Sequence, residues 1–334
     1  MKSHRWFRRV GTTVLLPAVV LSCNDTTAGP EDPHSGDPSD PGDPSHPPAL
    51  STVGRIAFTS TRDGAPHIYL VDADGSDLTR LVPGYSPAWS PDGRRVAFIT
   101  HDGTTSHLSV IDSDGSGERR LVSGAEAPAW SPDGARIAFG RPPDIHVVNA
   151  DGSGEVRMIS AQGVRFATGL GAVRGLGLKL SDAAWSPDGT KIAFAAREDA
   201  ERVWLVLANA DGSSPRIVDP PASGGNPAWS PDGRHLVFIG SRLGLASVEL
   251  GGSDPPRKLS FIAWEAAWSP DGLSLVYASP DGRCVWDWGY CPSSRIRVGD
   301  PASDHSVLLI PPAQDAANPD YEDFGPAWTS VRER

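Results

Sequence analysis

The chain has 334 residues, of which 30 are lysine or arginine and 41 are aspartate or glutamate, so its formal net charge at pH 7 is −11. This acidic balance argues against nucleic acid or an anionic lipid surface as a partner, because both require a basic footprint. We therefore expect any membrane contact to be made through a lipid anchor only.

The first 22 residues have the pattern of an export signal. Four basic residues precede an apolar run at positions 10–21, which is too short to span a bilayer, and a small residue, Ser22, follows. The tetrapeptide Val-Leu-Ser-Cys at 20–23 resembles the lipobox of bacterial lipoproteins, which implies that Cys23 is the lipidated first residue of the mature chain. An ordinary signal peptide with an incidental cysteine is the alternative.

The next segment has the composition of a disordered tether. Positions 24–50 hold seven prolines, five aspartates and one glutamate, with no lysine or arginine. Such a stretch has too few apolar side chains to bury a core. We expect residues 1–22 to be a lipoprotein signal peptide and residues 23–50 to be the lipidated cysteine and its linker.

One motif dominates the remainder of the chain. Trp-Ser-Pro-Asp-Gly occurs five times, and a sixth copy near the C-terminus keeps the Trp but not the turn; the six tryptophans are Trp89, Trp130, Trp185, Trp229, Trp268 and Trp328. Their spacing of about 40 residues, with insertions, is typical of a propeller or another repeat array. Within the motif, Pro presets φ, Asp caps backbone groups and Gly suits the exit of a reverse turn.

Each repeat predicts four antiparallel strands. An inner strand ends at the Trp, and an apolar strand that is buried on both faces follows the turn. A third strand and a shorter fourth strand complete the unit, joined by turns such as Asp72-Ala73-Asp74-Gly75. In one repeat the second, third and fourth strands are predicted at 95–99, 108–111 and 119–122. Four antiparallel strands per repeat make a propeller blade.

The predicted fold class is all-β, a six-bladed β-propeller of four-stranded antiparallel blades over residues 51–330, followed by a tail at 331–334. The first repeat, 55–82, lacks an inner strand, while the chain ends on one at Trp328. We expect this C-terminal strand to complete the N-terminal blade. That arrangement closes the ring and removes open sheet edges.

The repeat, with Ala-Trp-Ser-Pro-Asp-Gly followed by Ile-Ala-Phe and later by Asp-Ala-Asp-Gly, resembles the WD40-like Pro-Asp (PD40) repeat of TolB-like propellers. The resemblance covers residues 55–330 and implies an extracytoplasmic propeller that works mainly through protein–protein contacts. Family members with the Tol–Pal role carry a separate domain before the propeller, whereas a bare linker precedes it here, so that role is not carried over. Related propellers of prolyl oligopeptidase-like peptidases accompany a hydrolase domain, but this sequence has no Gly-x-Ser-x-Gly elbow.

The candidate binding site lies on the face where the loops diversify. Links between second and third strands and links between blades share this face, and they carry the insertions 161–181, 279–294 and 311–325. Residues just before each inner strand are expected to ring the mouth of the channel, and two tryptophans of the second insertion extend the surface. The predicted binding residues are Tyr85, Glu126, Asp182, Asn226, Trp264, Glu265, Trp286, Trp288 and Phe324. The alternative is that they only cap loops.

Cys284 and Cys291 flank the aromatic part of the second insertion. In an exported protein, two cysteines in one loop most simply form a disulfide. Closing this short loop would contribute roughly 2.5 kcal/mol on the chain-entropy account. Two free thiols, or a metal site without other nearby ligands, are the alternatives.

We predict no cofactor and no bound metal. His67 and His107 begin equivalent third strands, and Asp144 lies in register with them in the next blade, so these three residues are weak candidates for metal ligands. Separate polar strand starts are the alternative. The Asp-x-Asp-Gly turns are similar to a fragment of a calcium loop, but their recurrence in successive blades favours a plain hairpin turn.

Together these features favour an exported, lipid-anchored propeller, in the periplasm or at the cell surface, that acts as a non-catalytic binding scaffold. Its expected partner is a protein, a peptide or a glycan, and the propeller itself is expected to be a monomer. The alternative is a carbohydrate-active lyase or hydrolase that uses acids or a metal in the funnel of the propeller.

Overall fold

The structure is a computed structural model. It describes residues 50–168, 171–174, 177–199, 202–218, 224–240, 244–252, 254–259, 263–280, 294–302, 306–310 and 322–329. The predicted signal peptide, the lipidated Cys23 and all but the last residue of the predicted tether lie outside these residues. Within the described ranges, no helix is both long enough and apolar enough to cross a membrane.

The described residues form 26 β-strands and one short 3-10 helix. The strands of the first three repeats are β1 (Arg55–Ser60), β2 (His67–Asp72), β3 (Thr79–Pro83), β4 (Tyr85–Trp89), β5 (Arg95–His101), β6 (Ser106–Asp112), β7 (Arg119–Ser123), β8 (Glu126–Trp130), β9 (Arg136–Arg141), β10 (Asp144–Asn149) and β11 (Val156–Ile159). The insertion that follows holds the 3-10 helix (Ala161–Gly163) and a hairpin of β12 (Arg165–Thr168) and β13 (Gly171–Arg174).

The outermost strand of each blade is shorter in the last three repeats than in the first three. They are β14 (Lys179–Trp185), β15 (Lys191–Arg197), β16 (Val203–Asn209), β17 (Arg216–Ile217), β18 (Gly224–Trp229), β19 (His235–Gly240), β20 (Gly244–Glu249), β21 (Arg257–Lys258), β22 (Ala266–Trp268), β23 (Leu275–Pro280), β24 (Ser294–Gly299), β25 (Ser306–Leu308) and β26 (Asp323–Thr329).

Six four-stranded antiparallel sheets form the blades. Blade 1 has the order β26-β1-β2-β3, blades 2 and 3 run from β4 to β7 and from β8 to β11, and blades 4, 5 and 6 run from β14 to β17, β18 to β21 and β22 to β25. The predicted six-bladed, all-β propeller is confirmed. Each blade starts at the channel with the strand that ends in the motif Trp and places its shortest or least buried strand outermost.

The hydrophobic core lies between the blades, as expected for sheets whose second strand is apolar on both faces. Six clusters of buried side chains each join two neighbouring blades, including one between blades 6 and 1. The second strand of every blade contributes one fully buried aromatic side chain at the same place, namely Phe58, Phe98, Phe139, Phe194, Phe238 and Tyr277. Burial of each ring contributes about 2 kcal/mol or more.

The Ser-Pro-Asp-Gly turns are held by the same hydrogen bonds in every copy. In the first, the Ser90 hydroxyl donates to the Asp92 carboxylate at 2.6 Å, and the backbone N–H of Arg95 donates to the Ser90 hydroxyl at 2.9 Å. The Gly93 N–H donates to the Ser90 carbonyl at 2.9 Å. The hydrogen bond from the Ser90 hydroxyl is the leading cause that holds the pKa of Asp92 below its usual value, and the backbone N–H of Arg94 adds to it. The motif therefore recurs because it fixes the hairpin between the first two strands.

The last strand of the chain completes the first blade. β26 pairs antiparallel with β1, with Arg55 opposite Thr329 and Ile56 opposite Trp328. The Trp328 Nε1–H donates to the backbone carbonyl of Val53 at 2.8 Å. The N-terminal and C-terminal ends of the propeller therefore meet in a single sheet, as the missing inner strand of the first repeat predicts.

A cleft lies between blades 4 and 5. In blades 2, 3 and 4 the glycine of the turn after the third strand lies against the outermost strand of the preceding blade, as Gly152 does against Leu121. At Gly251 of blade 5 no atom of the described residues lies within 4 Å of an added Cβ, and the neighbouring β17 has only two residues. The resulting cleft has a volume of about 590 Å³ and includes Trp229 and Gly251 in its lining.

Alanine at Gly212 and alanine at Gly251 separate the cost of a left-handed backbone from the cost of steric overlap at these turns. Gly212 and Gly251 have nearly equal φ values of 83° and 84°, so each alanine carries a left-handed penalty of about 1 kcal/mol. A Cβ at Gly212 would also lie 2.3 Å from the carbonyl oxygen of Met158, which adds about 1 to 3 kcal/mol of overpacking. We expect urea unfolding to show a clearly larger loss for Gly212→Ala than for Gly251→Ala; equal losses would contradict this account.

Candidate functional site

Six residues, one from each blade, converge on the centre of the propeller. Each lies three positions before the motif Trp of its blade, and together with the residue that follows it lines a cavity of about 160 Å³. These six residues, called the channel ring below, are Ser86, Ala127, Asp182, Asn226, Glu265 and Gly325. The residues that follow them are Pro87, Pro128, Ala183, Pro227, Ala266 and Pro326.

A β-bulge brings the ring residues to this position. In five inner strands, the pairing with the second strand shifts register next to the ring residue. At the same five places φ is positive, between 45° at Ala127 and 59° at Gly325. Asp, Asn and Gly tolerate this left-handed conformation better than most residues. Because the bulge recurs around the ring, it belongs to the architecture of the propeller and sets which side chains reach the channel.

The channel ring carries two carboxylates in different environments. Asp182 accepts hydrogen bonds from the Ser181 hydroxyl at 3.0 Å and from Nη2 of Arg197 at 3.1 Å. Glu265 has no such cation: its Oε2 is buried and has no hydrogen-bond partner among the described residues. Burial raises the pKa of Glu265, the backbone N–H of Gly325 opposes this shift, and the charge of Asp182 adds to it. The channel therefore contains one compensated and one uncompensated acid.

Three of the predicted binding residues, Asp182, Asn226 and Glu265, lie together in the channel ring. The Asn226 side-chain amide donates to the backbone carbonyl of Trp264 at 3.3 Å, which links blades 5 and 6 at this point. The Trp264 side chain, directly before Glu265, is 44% exposed. The sequence predicts these three residues at one site. The structure shows that each of them lies three residues before the motif Trp of its blade.

The other predicted residues lie one position earlier than the ring and outside the cavity lining. Tyr85 packs with the core between blades 2 and 3 and contacts His101 edge to face, with ring centroids 5.4 Å apart. Phe324 packs between blades 6 and 1, and Glu126 is exposed. Ser86, Ala127 and Gly325 were missed because the bulge that places them depends on pairing between strands. Their position before a proline of the motif is the sequence signal that could have found them.

Four further predictions fall on residues that the structure does not describe. Trp286, Trp288, Cys284 and Cys291 belong to the stretch 281–293, which lies outside the described residues. The aromatic binding surface and the disulfide of this insertion therefore stay predictions.

The three weak metal candidates each have a different local partner. His67 Nδ1 lies 2.9 Å from the carbonyl oxygen of Ala65. His107 lies between the Asp102 carboxylate, 2.6 Å from Nε2, and the Ser123 hydroxyl, 3.0 Å from Nδ1. The Asp144 carboxylate accepts the backbone N–H of Ala161 at 2.8 Å. Among the described residues no three His, Cys, Asp or Glu side chains are grouped closely enough to hold a metal ion.

The buried acid of the channel predicts an unusual dependence of stability on pH. Because burial raises the folded pKa of Glu265, the ionised carboxylate destabilises the fold, and this cost disappears below the unfolded value of about 4.3. We expect Glu265→Gln to raise the free energy of unfolding at pH 7 by on the order of 1 kcal/mol, with the difference vanishing near pH 4. Thermal unfolding across this range measures it, with Glu126→Gln as the exposed control. A Glu265→Gln protein less stable than the parent at pH 7 would contradict the prediction.

Comparison with known proteins agrees with the repeat pattern. Residues 43–168 match the family PD40, described as the TolB beta propeller domain. A segment of 61 residues is 41% identical to the Tol-Pal system protein TolB of Alcanivorax borkumensis, and it covers 18% of this chain and 14% of that protein. The similarity in sequence is thus confined to a small part of the relative's length.

Solved structures extend the likeness to most of the chain. TolB from Acinetobacter baumannii superposes with a TM-score of 0.65 at 19% identity, over 83% of this chain and 66% of that one. A chain of the nidogen/laminin complex superposes with a TM-score of 0.62 at 11% identity, over 83% of this chain and 99% of that one. At such identities the superpositions show the fold alone. The Pro-Asp repeats, the six four-stranded blades and these matches establish that the chain carries a TolB-like six-bladed β-propeller.

Proposed function

We propose that this protein is an exported, membrane-tethered scaffold whose channel face binds a protein partner in the cell envelope. The observation that carries the proposal is the channel ring, in which four of the six residues, Ser86, Asp182, Asn226 and Glu265, have polar side chains at one cavity. In blade 6, β23 ends and β24 begins on the side where β22 starts, so the predicted insertion 279–294 is expected to extend from this same face. Variable loops around a rigid polar mouth are the usual arrangement of a recognition surface.

The likeness to TolB supports a protein over a small molecule as the partner. The Tol-Pal system protein TolB is by its name part of a multiprotein system, and the family resemblance implies protein–protein contacts. The cavity of about 160 Å³ is too small to enclose a drug-sized ligand, since such pockets measure roughly 300 to 1,000 Å³. It suits one side chain of a larger partner that rests on the surrounding face.

Site-specific crosslinking of the full chain tests this proposal. A photoreactive phenylalanine analogue is placed at Trp264, on the channel face, or at Leu273, which follows a Ser-Pro-Asp-Gly turn on the opposite face and is 63% exposed. We expect irradiation of cells that carry the protein to yield a discrete adduct from position 264 and none from position 273. Equal yields from both positions, or no adduct from either, would contradict binding at the channel face.

The proposed tether has its own test. Cys23→Ser removes the acceptor of the lipid, so the protein is expected to move from the membrane fraction to the soluble fraction of the envelope, while Ser22→Ala leaves it with the membrane. Fractionation followed by immunoblotting distinguishes the two outcomes. A Cys23→Ser protein that stays membrane-bound would show that lipidation at Cys23 is not the anchor.

A further inference from the structure

We infer that the channel ring receives the side-chain ammonium of a lysine from the partner protein. The inference rests on the proposed function and deepens it, because it names the group that the channel recognises. Its starting point is the Glu265 carboxylate, whose Oε2 is buried and has no partner among the described residues. A buried carboxylate oxygen without a hydrogen bond destabilises a fold. A cationic ligand in the cavity that Glu265 lines would supply the missing partner.

The unpaired oxygen of Glu265 lies beside Gly325, where the inner strands of blades 6 and 1 meet. A Cβ added to Gly325 would lie 3.2 Å from Oε2, so the glycine leaves space beside this atom. The backbone N–H of Gly325 favours the ionised form of the carboxylate, but Oε2 has no hydrogen-bond partner among the described residues. A donor from the partner would supply it.

The neighbouring ring residues add acceptors but do not supply that donor. Arg197 pairs with Asp182, at 3.1 Å, and a Cβ at Gly225 would lie 2.6 Å from the same guanidinium nitrogen, so this cation lies against blade 5. The Asn226 amide nitrogen is taken by the carbonyl of Trp264. The side-chain oxygen of Asn226 and the carboxylate of Asp182 lie in the same ring as Glu265.

The wall of the cavity also favours a cation on an aliphatic stem. Four of the six residues that follow the ring are prolines, and proline has no backbone N–H to donate. The wall therefore offers apolar rings and acceptor oxygens, and fewer donors than an ordinary strand end. A lysine side chain has a slender apolar stem and three N–H donors at its tip.

Lysine fits this set better than arginine or a metal ion. A guanidinium has five donors in a planar fork and pairs best with two oxygens side by side, whereas Glu265 has one free oxygen. Calcium takes six to eight oxygen ligands, and among the described residues no three His, Cys, Asp or Glu side chains are placed so that they could hold a metal ion. A compact ammonium needs about three acceptors, which Glu265, Asp182 and Asn226 provide.

The first test uses the full-length protein and a small probe, Nα-acetyl-lysine-N-methylamide, with binding followed by NMR titration. We expect saturable binding that weakens about tenfold or more in Glu265→Gln and is absent for the norleucine analogue. Glu118→Gln, at an exposed residue on the turn after β6, is expected to leave the binding unchanged. Each titration is repeated with calcium and with a chelator. Binding of calcium that depends on Glu265, without binding of the lysine probe, would overturn the inference in favour of a metal.

The second test uses the partner itself, through the crosslink from position 264. Glu265→Gln is expected to reduce the adduct at least several-fold, and Glu118→Gln to leave it unchanged. An undiminished adduct in Glu265→Gln would refute the lysine inference while the proposed scaffold function stands. Loss of every adduct from position 264 in the unsubstituted protein would refute the proposed function instead. Thermal unfolding of each variant verifies that the propeller is intact.

Discussion

Asp323→Ala is expected to destabilise the propeller by about 3 kcal/mol or more, because it removes the carboxylate that compensates the charge of a buried guanidinium. Nη2 of Arg62 lies 3.1 Å from the Asp323 carboxylate, and the two side chains are 7% and 1% exposed. The Arg62 guanidinium also lies over the ring of Tyr69, 4.8 Å from its centroid. This pair joins β26 to the loop after β1, so its loss weakens the sheet in which the two ends of the propeller meet.

An exposed ion pair in blade 4 provides the control. Arg202 and Glu198 lie 3.1 Å apart with side chains 57% and 36% exposed, and such pairs contribute less than about 1 kcal/mol. Urea unfolding of Asp323→Ala and Glu198→Ala therefore compares the same charge change in a buried and an exposed setting. Similar losses for the two variants would show that burial of the Arg62 pair is not what stabilises the closure.

Deleting residues 322–334 is expected to have the largest effect, which is loss of cooperative folding. The deletion removes β26, the inner strand of blade 1, and exposes the edge of β1 together with the buried Ile56 and Phe58. An open sheet edge beside an uncovered core promotes aggregation. Size-exclusion chromatography and thermal unfolding are expected to show aggregate and no sharp transition.

Two matched variants separate the effect of ring closure from that of shortening the chain. Deleting only residues 331–334 retains β26 and is expected to leave the unfolding transition unchanged. Moving residues 322–334 through a flexible linker to a point before residue 50 restores the strand and is expected to restore folding. A cooperative, monomeric protein after the 322–334 deletion would show that β26 is dispensable.

The blades could be predicted from the sequence because their determinants are local. The apolar strand predicted at 95–99 is β5, Arg95–His101, and the Ser-Pro-Asp-Gly turn before it fixes its start through the Ser90 and Asp92 hydrogen bonds. The short outer strand predicted at 119–122 is β7, Arg119–Ser123. Turn chemistry and apolar runs lie within a few residues of each other, so a single sequence displays them.

The site was predicted only in part because its geometry is not local. Asp182, Asn226 and Glu265 were placed at the channel by counting to the start of each inner strand, but Tyr85 and Phe324 were placed there by the same count and pack into the core instead. The bulge that decides between these outcomes arises from pairing with the next strand. The ion pair between Arg62 and Asp323 joins the two ends of the propeller. No repeating pattern in the sequence predicts it.

The closure of blade 1 also sets the order in which this protein can fold during synthesis. Chains emerge from the ribosome N-terminus first, so β1, β2 and β3 are made early and β26 is made last. Blade 1 cannot be completed until nearly the whole chain has been released, and pairing between such distant segments is slow. Every intermediate that forms before β26 pairs therefore has an unpaired edge at β1, and such an edge is a site for aggregation.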